Sequence, residues 1–352
     1  MESHPLVYIR TDGNENIATG HLMRCLTIAR ALVQRGAMPI FIVSDTTSIS
    51  LLQKMMTPAE IANRFFAIIH LQTNYRDPDR ELPVLRSILS SHPVFYLLVD
   101  SYYVSRHYLS EMKQVCRVAY LDDLQAFDYP VNLLINYDMV VDTSFYKSAD
   151  TVLTGCAYTP LREQFSRYAC HPWKNVRDIF LSTGGTDPFN IAGGLTEKLL
   201  ADSVFADTSL HILTGPMHVH RPLLETLSQQ ESRVILHENV TEMASLMSEC
   251  DLAVSAGGTT LYELCAVGVP AISYSMADNQ IPGVTAFDSA GLIPYIGDIR
   301  NNPSFYETAM AQLRSLAQDF SARREQSLRM RMTIDGAGAD RIAAALTAPL
   351  PS

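Results

Sequence analysis

Twelve short apolar runs shape the chain, and they are continuous rather than alternating. They fall into two series. The first lies at 6–10, 39–45, 66–71, 94–100, 117–123 and 131–138, the second at 178–185, 209–215, 233–239, 251–258, 270–275 and 292–298. A run without polar alternation is buried on both faces, which marks a strand of a parallel sheet covered by helices. Several runs end in Asp, Asn or Ser, which sets polar groups at the carboxyl edge where such sheets bind ligands. The polar, proline-containing stretch FSRYACHPWKN, with the sole tryptophan, separates the series. The expectation is an α/β protein of two doubly wound, Rossmann-type domains with a cleft between them. The expected boundaries are 1–165, a linker at 166–176, 177–335, and a C-terminal helix and tail at 336–352. In the tail, FYETAMAQLRSLAQDF carries Met310, Leu313, Leu316 and Phe320 at helical spacing, and DGAGADRIAAALTA reads as a second helix. The arginines between them (Arg323, Arg324, Arg329, Arg331) read as a solvated face.

Composition narrows the function. A chain of 352 residues with 47% hydrophobic content has ample core. Its net charge of −10 argues against a nucleic-acid surface, which needs clustered Lys and Arg. The six cysteines are scattered, with no CxxC pair, and read as reduced thiols. MESHPLVYIR lacks a signal-peptide core, and no apolar run approaches the roughly 20 residues of a membrane helix. A cytoplasmic monomer without membrane insertion is expected. His218 and His220 have no matching Cys/His set nearby, so neither a metal nor a cofactor is expected.

Two glycine loops offer anion sites. In AGGTTLYELCAVGVP a strand runs into Gly257-Gly258, and a helix starts near Thr259 or Thr260 with a hydroxyl as N-cap; Gly268 stops it. Glycines there let backbone N–H groups approach a phosphate, and the helix N-terminus adds favourable partial charge. Glu263 near the first turn reads equally as a dipole-stabilising carboxylate or as an acceptor for two ribose hydroxyls. STGGTDPFNIAG repeats the theme with Gly184-Gly185, Asp187 as N-cap and Pro188 at the first helical position. Neither loop has the GK[ST] of a Walker motif or a full GxGxxG.

A third loop precedes GHLMRCLTIARALVQR. The helix should span 20–35, with Gly36 closing it and Leu22, Leu26, Ala29 and Val33 facing the core. His21 and Arg24 share another face at the helix start. The dipole and the guanidinium both disfavour imidazolium, so a neutral, proton-accepting histidine is expected. It reads either as a general base or as a first-turn residue bonded to the preceding loop. Asp12, Asp100 and Asp122 stand at strand ends, to bind sugar groups or to cap loop N–H groups.

In chain order, RTDGNENIATGHLMRC, LLVDSYY, LDDL, INYD, STGGTDPFN, VSAGGTTLYEL, SMADNQ and DGAGADRI resemble the PseG/SpsG family, of the MurG-like GT-B superfamily. The resemblance covers most of the chain. It implies a GT-B fold and metal-independent hydrolysis of UDP-2,4-diacetamido-2,4,6-trideoxy-β-L-altropyranose. The anomeric C–O bond breaks with inversion, and free sugar is released for pseudaminic acid synthesis. It places the catalytic base at His21 within a G-x-G-H-x-x-R motif, the sugar-site tyrosine at Tyr102, the nucleotide glutamate at Glu263 and an asparagine at Asn279. Asp12, Gly20, Arg24 and Gln280 are assigned with Tyr102 and Asn279 to the substrate. Gly184, Gly185, Gly257, Gly258, Thr259 and Thr260 are assigned with Glu263 to UDP. A glycosyltransferase using the same donor, or a nucleotide-sugar-binding protein without catalysis, is the alternative. The first motif glycine is Ala18 here. If that position takes positive φ, alanine costs about 1 kcal/mol or more.

Overall fold

The computed structural model describes residues 4–63, 65–91, 93–215 and 217–348. They form two compact units, one running to Leu161 and resuming at Ala337, the other Arg162–Gly336. The first unit holds seven parallel strands: β1 (Leu6–Thr11), β2 (Met38–Val43), β3 (Ala67–His70), β4 (Tyr96–Asp100), β5 (Val118–Leu121), β6 (Leu133–Asn136) and β7 (Thr151–Thr154). Their order is β3-β2-β1-β4-β5-β6-β7. β7 lies outside the expected runs. It is an edge strand of sequence TVLT with no buried residue, so its pairing with β6 leaves no continuous apolar trace.

Burial of both sheet faces explains the apolar runs. All of β4 is buried. Val7, Ile9 and Leu98 pack beneath helix Gly20–Gln34, through Leu22, Leu26 and Ala29. Tyr8, Leu97 and Val99 face the other way, against Leu85 and Leu89 of helix Leu82–Ser90 and Leu109 and Met112 of helix Arg106–Lys113. Helix Gly338–Thr347 completes the first face with Ile342, Ala343 and Leu346. A Cβ on Gly338 would lie 2.1 Å from the Thr159 carbonyl oxygen, so only glycine permits that approach.

The second unit repeats the winding with six strands: β8 (Asp178–Ser182), β9 (Ser209–Leu213), β10 (Val234–His237), β11 (Leu252–Ala256), β12 (Ala271–Ser275) and β13 (Tyr295–Asp298). The order is β10-β9-β8-β11-β12-β13, and every recorded pairing is parallel. Both sheets therefore reverse direction beside their first strand, at β1/β4 and at β8/β11, where ligands bind in doubly wound folds.

Of the four tail arginines, Arg324, Arg329 and Arg331 are exposed as expected, and Arg323 departs. They lie on a helix, Phe320–Thr333, and Arg323 is fully buried rather than solvated. Its guanidinium donates to the carbonyls of Leu316 and Ala317 and, at 2.7 and 2.8 Å, to those of Trp173 and Lys174. Carbonyl acceptors from two segments pair both terminal nitrogens of this buried charge, while Nε has no partner among the described residues. Five of the six cysteines are buried, and no disulfide joins them. Among the described residues, no helix is long and apolar enough to cross a membrane.

Candidate active site

In the first unit the site grows from the turn after β1. A Cβ on Gly13 would lie 2.5 Å from Leu22 Cδ1, so this glycine lets the loop lie directly on the helix. Asn14 Oδ1 accepts from the N–H groups of Asn16 (2.9 Å) and Ile17 (3.2 Å), closing an Asx turn. Ala18 then adopts φ 54°, the left-handed conformation that the motif glycine would hold without strain. Ala18→Gly is therefore expected to raise stability by roughly 0.5–1 kcal/mol, the relieved strain outweighing the added unfolded-state entropy. Thermal unfolding checks it: a lower melting temperature would contradict the strain.

The helix starts at Gly20 and sets His21 and Arg24 against the end of β4. His21 is 5% exposed and Asp100 1%. His21 Nδ1 lies 2.6 Å from Asp100 Oδ1. An ionised carboxylate only accepts, so Nδ1 carries a proton, and in the neutral tautomer this leaves Nε2 as the acceptor. Arg24 donates to both oxygens of Asp100, from Nε at 2.7 Å and Nη2 at 2.5 Å. Its Nη1 reaches Asp123 Oδ2 at 2.9 Å and the Tyr137 hydroxyl at 2.7 Å. Burial alone would raise the Asp100 carboxyl, but Arg24 and then His21 hold it well below the usual carboxylate range. Among the described residues Nε2 has no hydrogen-bond partner. The ring lines a small pocket with Ile17, Ser101, Tyr102 and Tyr103. The Tyr102 ring meets it edge-on at 4.4 Å, and the Tyr102 hydroxyl donates to Asp123 Oδ2 at 3.0 Å.

The other strand-end carboxylates are occupied by the protein itself. Asp12 Oδ1 accepts from the Ser44 N–H and hydroxyl, each at 2.7 Å, and Oδ2 from Arg10 at 2.5 Å. Asp12 also borders the pocket that holds the His21 ring. Arg10 in turn pairs with Glu81 at 2.7 and 2.9 Å, and both are buried. Asp122 accepts from the N–H groups of Leu124 and Gln125 and from the hydroxyls of Tyr129 and Tyr146. It caps a loop.

The second unit places its glycine loops side by side at β8/β11. Gly184 takes φ 76° and Gly258 φ 155°. A Cβ on Gly257 would lie 2.8 Å from Val284 Cγ1 and 2.9 Å from Gln280 Cβ, so the loops after β11 and β12 touch only across a glycine. Helix Thr259–Val267 begins as expected, but Gly258 rather than a threonine holds its N-cap, and Gly268 ends it in the left-handed conformation. Among the described residues the N–H groups of Gly258, Thr259 and Thr260 have no backbone acceptor, the arrangement an anion completes. The other helix starts at Ile191, later than Pro188, because Asn190 is left-handed at φ 53°. Asp187 nevertheless caps it, accepting from the N–H groups of Ile191 and Ala192 at 2.9 Å. Gln280 Oε1 accepts from the Met276 N–H at 2.9 Å and braces its own turn, while Asn279 beside it is exposed. Burial pushes the Glu263 carboxyl up to about 7, against the opposing pull of Arg162.

Sequence reasoning quoted LDDL and INYD without giving Asp123, Tyr137 or Asp138 a role. Asp123 and Tyr137 complete the shell of Arg24. Burial, then Asp123 and Asp122, push the Asp138 carboxyl up to about 6. The signal was the polar end of each run, and only the sheet order brings those ends to Arg24.

Residues 181–280 match the Glycosyltransferase family 28 C-terminal domain. The spore coat polysaccharide biosynthesis protein SpsG of Bacillus subtilis is 26% identical over 209 residues, 58% of this chain and 58% of that protein. The pseudaminic acid cytidylyltransferase and UDP-2,4-diacetamido-2,4,6-trideoxy-β-L-altropyranose hydrolase of Helicobacter pylori is 37% identical over 145 residues, 41% of this chain and 25% of that protein. MurG of Acinetobacter baumannii matches with a TM-score of 0.65 at 13% identity, over 97% of this chain and 99% of MurG. LpCGTa in complex with UDP matches at 0.61 and 12% identity, over 99% and 100%. The chain is thus similar to SpsG and to the pseudaminic acid enzyme over part of its length. Its fold is the two-domain α/β GT-B fold. The chain spans no more than 58% of the length of the curated relatives it matches. Its glycosyltransferase-28 segment contains Gly184, Gly257, Glu263 and Asn279; His21, Arg24 and Asp100 lie outside it.

Proposed function

We propose that the chain is a metal-independent UDP-sugar hydrolase that releases UDP from UDP-2,4-diacetamido-2,4,6-trideoxy-β-L-altropyranose. The observation that carries the reading is the His21 ring, its Nδ1 proton held by Asp100 and its Nε2 left unbonded at a pocket. In this reading Nε2 takes a proton from water while the water oxygen attacks the anomeric carbon. The bond from that carbon to the phosphate oxygen breaks, its electron pair passes to the leaving UDP, and the configuration inverts. Tyr102 flanks the sugar. The N–H groups at Gly184, Gly258 and Thr259 receive the diphosphate, and their fixed dipoles meet the charge that grows on it. The activity named for the Helicobacter pylori relative supports the substrate, and the UDP bound in LpCGTa supports the nucleotide.

Incubation with this donor, followed by phosphorus NMR, tests the proposal. UDP is expected to appear without any acceptor. The glycosyltransferase-28 segment and the MurG likeness favour a second reading, glycosyl transfer. Release only when a sugar acceptor is added would favour it, and an unchanged donor would rule out both.

A further inference from the structure

Glu263 lies in the second turn of helix Thr259–Val267, with its side chain only 17% exposed. Among the described residues one cation faces it: Arg162, whose Nη2 lies 3.5 Å from Oε1. Arg162 is itself held from two directions. Its guanidinium carbon sits 5.3 Å over the Phe165 ring, and Nη1 lies 3.5 Å from the Thr241 carbonyl. These supports belong to helix Gln164–Arg167 and to the segment entering helix Met243–Ser248, both packed against the Glu263 helix.

A buried carboxylate with a single counter-charge depends on that charge for its ionisation. Ionisation decides what the group can bind. A carboxylate accepts from two neighbouring hydroxyls, whereas a carboxylic acid must donate with one oxygen and so loses an acceptor. We propose that Arg162 is a positioning residue for nucleoside recognition, its guanidinium holding the Glu263 carboxylate ionised as the acceptor of a ribose diol. This rests on the nucleotide reading above. Arg162 touches no nucleotide in this scheme and acts through Glu263.

The test is calorimetric binding of UDP-N-acetylglucosamine between pH 6 and 9. Its diphosphate is diesterified, so it avoids the phosphate ionisation near about pH 6 that a terminal phosphate brings. Burial raises the Glu263 carboxyl to about 7. Wild-type affinity should therefore rise about tenfold from pH 6 to 8 as the carboxylate forms. Arg162→Gln should move that rise upward by about one pH unit or more, and Arg162→Lys should fall between. Recovery of wild-type affinity by R162Q near pH 9 shows that it folds. Glu263→Gln, whose amide does not titrate, should flatten the profile. An R162Q profile that overlays the wild type, or an E263Q profile that keeps the full pH dependence, overturns the proposal. No wild-type binding at any pH overturns the nucleotide reading, and this inference with it.

Discussion

His21→Ala and His21→Asn are expected to lower turnover of the UDP-sugar about 10²–10⁴-fold, the range of general-base assistance, with UDP affinity nearly unchanged. The separation follows from the structure: His21 belongs to the first unit, while the glycine loops and Glu263 belong to the second. Asp100→Asn is the sharper test. Asp100 presents acceptors to His21 Nδ1 and to two nitrogens of Arg24. An asparagine has one carbonyl and one NH2, so a donor must then face a donor in a buried site. The ring loses the partner that fixes its tautomer, and a loss in kcat of similar size is expected. Steady-state kinetics together with UDP binding read both variants. A His21→Ala protein with wild-type kcat would remove His21 as the base, and an unimpaired Asp100→Asn would remove the tautomer lock.

The largest stability effect is expected at Glu81, which is fully buried. It accepts from Arg10 Nε at 2.7 Å and Nη2 at 2.9 Å, from the Tyr108 hydroxyl at 2.8 Å and from Thr73 at 3.2 Å. Glu81→Ala strands most of a buried guanidinium and a phenol, and about 3–5 kcal/mol is expected to be lost. Asp12 remains as a partner for Arg10 at 2.5 Å, which keeps the estimate from going higher. Arg10→Met should cost a similar amount by stranding Glu81 and Asp12. The double variant R10M/E81L should then cost less than the sum of its parts, since the two residues are in contact. Chemical denaturation measures all three. A Glu81→Ala loss under about 1 kcal/mol would mean that water or relaxation replaces the pair. The network reaches the turn ahead of His21 through Asp12, which holds Ser44 while Ser48 bonds the Gly13 carbonyl and N–H.

The two sheets were legible because burial on both faces writes a continuous apolar run. β7 was not, because a strand paired on one side and half exposed needs no such run. Helix Gly20–Gln34 was legible from its spacing and from Gly36, and the strain at Ala18 from a motif glycine that is missing. Asp100 was found at a strand end, but its bond to His21 spans 79 positions, and local pattern carries no information over that distance. The same limit hid Arg10–Glu81, since an arginine inside an apolar run gives no hint of a partner 71 positions away. Arg323 was misjudged for a related reason: its acceptors are carbonyls, which every residue possesses and no sequence distinguishes.

The packing of Ile342, Ala343 and Leu346 against the first sheet also sets an order of events during synthesis. Domains on a growing chain tend to fold as units, the N-terminal one first. Here the first unit leaves the ribosome lacking one wall of its core, and that wall is translated only after all of 162–336. Until then the apolar surface beside helix Gly20–Gln34 has no cover from Gly338–Thr347. The nascent first unit is therefore the stage at which a chaperone has an exposed surface to hold, and a ribosome stalled before residue 338 would present that surface for as long as the arrest lasts.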